Sequence, residues 1–513
     1  MIHRFPQWIT DLFVSFLSAV LLAAILSIFS AGTYLASFVA FAGLGFLCIF
    51  GLIRVWRFFG SKKMLAVIMI TAFLLRVTVA VLISAGLPRW GYDNPVNQAG
   101  FLYSDAYTRD QAAFQLATSS DSLFTAFTQR DAADQYGGLK FLSAVVYRWL
   151  SPHADRPLLI SLLAASIMTL GIAFLYAALK KRWNKPIARW ATWFLVLFPD
   201  SVFLGSAQMR EPFLIGLFCI GLWAVLNWKE KPIQAIWVSL ISVLLMAALS
   251  FPAAAVIAAI LVLTFSLEWV LAQKSRTPQI LGGIGLAVLG IIILLAGYRW
   301  LKPTLYFDSY TTTQQSGWIQ ALIWTYGERW NLLFTTAYGL AQPVLPAAIT
   351  DSALPIWKTI AILQGIGWYF FLPFLFFGFF SAIKGGKNES KWTVVLFAAF
   401  FSLWVLISSA RAGGDQWDNP RYRYMLLPLM SILFAWSLWQ YRRTHTRWFW
   451  RWIAATSIFL LIFMTIYINR YIPLPFAPNL INGIMLIVIL TLIIFVGGWL
   501  HDHYDRTRQT KPQ

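Results

Sequence analysis

Tyr103-Ser104-Asp105-Ala106-Tyr107-Thr108-Arg109-Asp110 lies inside residues 88–156, a long polar interruption in a chain otherwise written in apolar runs. That interruption carries seven aspartates, Asp93, Asp105, Asp110, Asp121, Asp131, Asp134 and Asp155. Of the 513 residues, 59% are hydrophobic and only 12% are charged, against about 25% charged in soluble domains. A hydrocarbon core about 30 Å thick needs roughly 20 apolar residues per helical crossing. Runs of that length recur from end to end. The expectation is therefore an all-α, polytopic transmembrane helical bundle with no large soluble domain.

Fourteen spans are predicted, near 9–30, 32–53, 64–87, 157–179, 187–207, 211–228, 232–250, 252–272, 279–299, 355–383, 392–410, 421–440, 448–470 and 480–500. The run from Ile9 to Phe29 is too long, and lacks a small-residue cleavage site, to be a removed signal peptide. Basic residues cluster in alternate short loops: Arg54, Arg57, Lys62 and Lys63; then Lys180 to Arg189; then Arg442 to Arg451. By the positive-inside rule these loops and both termini are cytoplasmic. Fourteen of the twenty acidic residues fall in the opposite set of loops, which gives the same sidedness. The net charge of +20 thus reads as topology, and no nucleic-acid partner is expected. Cys48 and Cys219 fall inside apolar runs and imply no disulfide or metal site. His501 and His503 belong to a solvated tail.

The outer segments 88–156, 301–354 and 411–420 stand out by length or polarity. In the first, Ala106, Ala113 and Ala117 share one helical stripe, with Tyr107 and Phe114 beside it. Leu139, Leu142, Val146 and Trp149 make a second, closed by Ser151-Pro152. Both patterns suit amphipathic helices at the membrane interface, with Asp105 at the N-terminal end of the first. Asp105 is then either an N-cap with an i,i+4 pair to Arg109 or a general base that takes a proton from an attacking hydroxyl. Asp110, five positions on and so on another side of the helix, is a second candidate for that base.

Arg210 and Glu211 lie at the outer end of a hairpin, where charge is either paired or functional. Arg76 lies mid-span, and a carboxylate partner inside the bundle is expected. Arg411, Arg421, Tyr422 and Arg423 stand at an outer edge. They read either as snorkelling anchors or as a phosphate site, since the planar guanidinium fork matches phosphate. The aromatics Tyr306, Tyr310, Trp318, Trp324, Tyr326 and Trp330 are interfacial anchors or a lid.

In this order of parts the chain resembles the GT-C superfold of membrane glycosyltransferases, the class of protein O-mannosyltransferases and the lipid A aminoarabinose transferase. The resemblance rests on an arginine-bearing span (Arg76), Ser104-Asp105-Ala106 before an interfacial helix, and a second amphipathic segment from Tyr136-Gly137-Gly138. It continues through the span pair near Phe198-Pro199 and Met209-Arg210-Glu211, to the Pro420-Arg421-Tyr422-Arg423-Tyr424 edge. Two features depart from the pattern. Many relatives have Asp-Glu where this chain has Asp105-Ala106, and two helices precede the usual first span.

The division implied is 1–63 as two extra N-terminal helices, 64–440 as the GT-C-like core, and 441–513 as C-terminal helices with a short tail. The resemblance implies a polyprenyl-phosphate-linked monosaccharide donor and a glycan, lipid or protein acceptor hydroxyl on the extracytoplasmic face. It implies Asp105 as the base, with Arg109, Asp110, Arg210, Glu211, Arg411, Arg421, Tyr422 and Arg423 as substrate contacts. Some relatives use a divalent metal, although this sequence shows no ligand cluster for one. Two rival classes remain: a lipid-linked polysaccharide polymerase or ligase, and a non-enzymatic flippase.

Overall fold

The computed structural model describes residues 6–128, 134–315, 317–350, 352–384, 390–412 and 418–509. Among these the regular structure is helical and no strand forms. Among the described residues eleven helices are long and apolar enough to cross a membrane, or twelve if a bent pair counts as one span. The chain is a multi-pass helical membrane protein. Of the fourteen expected spans, 187–207 is the bent pair, 211–228 is a helix of 16 residues, and 421–440 is broken into shorter pieces. The chain divides into two compact units, Met1–Tyr298 with Tyr424–Ser431, and Arg299–Arg423 with Ile432–Gln513.

The first unit opens with α1 (Gln7–Leu26) and α2 (Tyr34–Phe58), an antiparallel hairpin that turns through Ser30–Gly32 as expected, followed by α3 (Lys63–Trp90). The polar interruption folds into α4 (Pro95–Gln98), α5 (Ser104–Thr118), α6 (Thr125–Thr128) and α7 (Gly138–Leu150). Both predicted amphipathic helices are therefore present. The alanines of the first stripe are buried, and α5 packs on α7. From α7, Arg148 donates to the carbonyls of Leu116, Ala117 and Ser119, the C-terminal oxygens that α5 leaves open.

Next come α8 (Pro157–Arg182), α9 (Lys185–Leu197), α10 (Pro199–Gly205), α11 (Glu211–Leu226), α12 (Pro232–Leu249), α13 (Phe251–Ala272) and α14 (Arg276–Gln315). The centre of this unit is α8, 78% of whose apolar window is buried. It touches α11 backbone to backbone: a Cβ on Gly171 would stand 2.5 Å from the Gly216 Cα. Close approach through small residues is how helices associate where lipid removes the hydrophobic drive.

The bend between α9 and α10 is 61°, and proline chemistry accounts for it. Pro199 has no N–H, so the Leu195 carbonyl one turn back loses its helical donor. In the apolar interior that orphan must find another donor. Ser201 Oγ donates to it at 2.5 Å and Arg76 Nη2 at 3.0 Å. Arg76 is fully buried, and its other bonds reach the Ala72 carbonyl at 2.9 Å and Ser201 Oγ at 2.9 Å, with the Met168 sulfur at 3.3 Å. The expected carboxylate is thus replaced by the acceptors of a broken helix.

In the second unit, α15 (Gly317–Tyr326), α16 (Asn331–Ala341) and α17 (Leu345–Thr350) precede the long α18 (Pro355–Lys384). Then follow α19 (Ser390–Ala412), α20 (Asp418–Arg423), α21 (Leu427–Thr444), α22 (Arg447–Ile468) and α23 (Leu480–Gln509). The expected helix end near 299 is not observed: α14 continues through Pro303 to Gln315. The side chains of Tyr306 and Tyr310 lie outside the described residues. Trp318 packs into a core with Tyr338 and Tyr467 and so is no free lid, whereas Trp324 is exposed. Arg451 forks onto Asp502 at 2.6 and 2.7 Å and joins α22 to α23.

Arg76→Met should lower the stability of the solubilised protein by about 1–3 kcal/mol, the penalty for buried polar groups left unpaired. Ser201→Ala should lower it less, because Arg76 still reaches Leu195. Thermal unfolding followed by tryptophan fluorescence checks the order of the two effects.

Candidate functional site

α5 begins two residues earlier than an Asp105 cap would require. Tyr103 is the N-cap, it makes no side-chain cap bond, and Asp105 sits in the first turn. A carboxylate there is favoured by the helix dipole, which is a different role from capping. Ala106 fixes this turn against Phe101 and Met209, with Tyr103, Tyr107 and Ala207 around them. That small core brings the start of α5 to the segment Ala207–Arg210, just before α11.

One helical turn after the half-buried Asp105 lies Arg109, only 2% exposed. Its Nη1 donates to the Gln208 carbonyl at 3.4 Å, and its Nε stands 3.6 Å from Asp134 Oδ2. Nε and Nη2 make no hydrogen bond among the described residues. Burial and then the charge of Arg210 pull its pKa below the ordinary guanidinium value, while Asp134, Glu211 and Asp105 oppose that shift. These five residues therefore form one mixed-sign cluster within electrostatic reach of a buried cation. Arg210 lies 5.2 Å over the Tyr136 ring and 3.9 Å from Asp134 Oδ1. Glu211 occupies the first turn of α11.

Asp134 is the organiser that the sequence reading passed over. Its Oδ1 accepts from the Tyr136 N–H and its Oδ2 from the Lys140 N–H, so it holds the start of α7 as well as the two arginines. An aspartate just ahead of a helix start is a legible signal, but its pairing with Arg109 and Arg210 is not. Gly137 adopts φ +78°, and a Cβ there would stand 2.1 Å from the Ala126 carbonyl oxygen. The position therefore needs glycine.

Asp110 faces away from this cluster. Tyr147 Oη donates to Asp110 Oδ1 at 2.5 Å, and Gln111 Nε2 donates to Asp155 Oδ2 at 3.0 Å. Asp110 Oδ2 and Asp155 Oδ1 are buried with no donor, the arrangement of two carboxyls sharing a proton. Burial, and next the charge of Asp155, push the Asp110 carboxyl well above its ordinary range. Burial also raises Asp155, against hydrogen bonds from Asp110, Tyr147 and Gln111.

In the second unit Arg411, Arg421, Tyr422 and Arg423 divide by geometry. The guanidinium carbons of Arg411 and Arg421 lie 5.3 and 5.2 Å from the Tyr422 ring centroid. Arg423 is fully buried. It lies 3.7 Å over Trp368 and donates to the carbonyls of Gly339 at 2.8 Å and Gln342 at 2.9 Å. Trp368 Nε1 takes the Leu340 carbonyl and Tyr369 Oη the Ala341 carbonyl, each at 2.8 Å. Four consecutive carbonyls at the end of α16, next to Pro343, are thus closed by side chains. Residues 413–417 of the expected outer loop lie outside the described residues.

Among the described residues no three His, Cys, Asp or Glu side chains come together as a metal site would need. No family model and no curated protein matches the chain.

The folded Asp110–Asp155 pair holds a proton that the unfolded chain releases near pH 4. Because the folded state then binds more protons, stability falls as pH rises from there through the raised pKa of the pair. The apparent melting temperature should therefore fall as pH rises above about 4. Asp110→Asn, whose amide replaces the shared proton, should flatten the profile. An unchanged slope in the variant would place the dependence elsewhere.

Proposed function

We propose that this protein is a membrane glycosyltransferase of the GT-C kind. It moves a monosaccharide from a polyprenyl-phosphate carrier onto an acceptor hydroxyl at the extracytoplasmic face. The reading takes fourteen spans, counting 187–207, 211–228 and 421–440, with both termini cytoplasmic. It is carried by one observation: the half-buried Asp105 carboxylate stands one turn from the buried Arg109, two of whose donors make no hydrogen bond among the described residues. A carboxylate held beside donors not yet engaged suits a site that must both accept a proton and grip an oxygen-rich ligand.

In the reaction, Asp105 takes the proton from the acceptor hydroxyl as its oxygen attacks the anomeric carbon. The new glycosidic C–O bond forms as the bond from that carbon to the phosphate oxygen breaks, with inversion. Polyprenyl phosphate departs carrying the bonding electron pair. Arg109, Arg210 and Glu211 shape the sugar or acceptor pocket. The donor phosphate is assigned to Arg411 and Arg421 beside Tyr422, since guanidinium groups stabilise charge that develops on a leaving group. Arg423, already engaged with the carbonyls of α16, supports that edge rather than binding the phosphate. Asp110, bonded to Tyr147, steadies α5 against α7.

Purified protein given a polyprenyl-phosphate sugar and an acceptor should release polyprenyl phosphate. Asp105→Asn should cut that release by about a hundredfold or more, with an unchanged melting temperature. Full activity in the variant removes Asp105 as the base. Lipid scrambling in liposomes with no release would instead make the protein a flippase.

The arginines separate in a second measurement. Arg421→Ala should weaken donor binding about tenfold and leave stability intact. Arg423→Met should chiefly lower the melting temperature. Donor affinity unchanged in Arg421→Ala would move the phosphate site elsewhere.

A further inference from the structure

Between α1, α2 and α3 runs a groove of about 510 Å³, within the range of ligand sites. It is an amphiphile's shape. Along its length it is lined by Ser18, Leu22, Ile49, Met69, Ile70 and Leu74. At one end it meets Thr10, Asp11, Trp56 and Arg57. Val14, Ile70 and Leu74 on its rim are exposed, so the groove opens sideways where lipid surrounds the bundle.

The charged end is built from buried parts. Asp11 is 2% exposed. Arg57 Nε and Nη2 donate to its Oδ1 at 3.1 and 2.9 Å. Its Oδ2 makes no hydrogen bond, and Arg54 Nη1 stands 3.6 Å away. Arg54 itself is half exposed. Trp56 Nε1 donates to the Lys62 carbonyl at 3.0 Å, which ties Lys62 and its neighbour Lys63 to the same end. Two arginines therefore stand against one carboxylate, with Lys62 and Lys63 next in the chain at that end, and the excess is positive.

Length decides which occupant fits. From Thr10 to Leu22 the groove follows α1 for twelve residue rises, about 18 Å at 1.5 Å each. Along α2 and α3 it is shorter, about 12 Å over eight rises. The hydrocarbon core is about 30 Å thick, so the groove spans one leaflet. A partner's transmembrane helix would need a seam across both.

We propose that this groove binds an anionic glycerophospholipid of that leaflet, one acyl chain lying along Ser18 to Leu74 and the phosphate facing Arg54 and Arg57. Arginine's fork matches a phosphate, and the surplus of cations selects against a zwitterionic headgroup. The orientation proposed above makes this the cytoplasmic leaflet, but the site does not depend on that assignment or on the transferase reading.

Native mass spectrometry of the delipidated full-length protein, titrated with phosphatidylglycerol or phosphatidylcholine, tests it. Phosphatidylglycerol should bind about tenfold more tightly. Arg54→Gln should lose that preference. Ser18→Trp, which fills the groove from a half-buried position, should lose binding of both lipids while the protein keeps its melting temperature. Asp11→Asn removes the carboxylate that competes with the phosphate and should tighten phosphatidylglycerol binding. Equal affinity for the two lipids, unchanged binding in Ser18→Trp, or weaker binding in Asp11→Asn overturns the proposal. So does preferential retention of polyprenyl phosphate, or a co-purifying polypeptide displaced by none of the lipids.

Discussion

The carbonyl of Leu195 is the constraint on which the first unit turns. Pro199 strips it of its helical donor, and in a membrane no water replaces one. Two side chains do so, Ser201 from the new helix and Arg76 from α3. The 61° bend is the consequence. A straight helix through this stretch would restore neither the missing N–H nor a partner for a buried guanidinium. Once α10 is bent, the chain reaches Gln208 and Met209 at the start of α5, which is where Arg109 finds its carbonyl and Ala106 its packing. A backbone defect at one proline thus decides which polar residues meet near Asp105.

The same principle recurs in the second unit with different residues. The end of α16 next to Pro343 leaves carbonyls 339–342 facing apolar surroundings, and Arg423, Trp368 and Tyr369 close them. Arginine serves well in both places because it offers five donors on a flat, weakly hydrated group. It fills several orphan acceptors at once, and its face stacks on an indole as Arg423 does on Trp368. A buried arginine in such a chain is therefore as readily a helix-end clamp as a ligand contact. The number of carbonyls it reaches separates the two roles.

This explains how much the sequence made legible. Apolar runs long enough to span a bilayer are a strong local signal, and the helical class, the first hairpin, α5 and α7 followed from period and length alone. Arg76 was conspicuous, but its partner was not, because a missing N–H four residues along a distant helix has no side-chain signature. The 61° bend inside 187–207 was not legible for the same reason. Asp105 and Arg109 stand out in the sequence by their i,i+4 spacing. Asp134 was counted only as one acid among seven, because its importance comes from Arg109 and Arg210, 25 and 76 positions away in the chain. Asp110 shared a helix with Asp105, and only the packing of α7 against α5 shows that it turns to Tyr147 instead.

The two charge clusters of the first unit lie at opposite ends of α3, whose 28 residues extend about 42 Å. That is close to a bilayer with its headgroups. They differ in which charges are buried. At the Lys63 end, Asp11 is a lone carboxylate among cations, deeply buried, with Arg57 locked onto it and Arg54 left half in solvent. At the Trp90 end a cation and a carboxylate are buried together, Arg109 and Asp134, with Asp105 half-exposed beside them. Desolvation penalises an isolated buried charge far more than an exposed one, so in each cluster the buried ions hold one another in place. An exposed guanidinium above an apolar groove suits an anionic amphiphile. An exposed carboxylate beside a buried guanidinium suits a group that surrenders a proton.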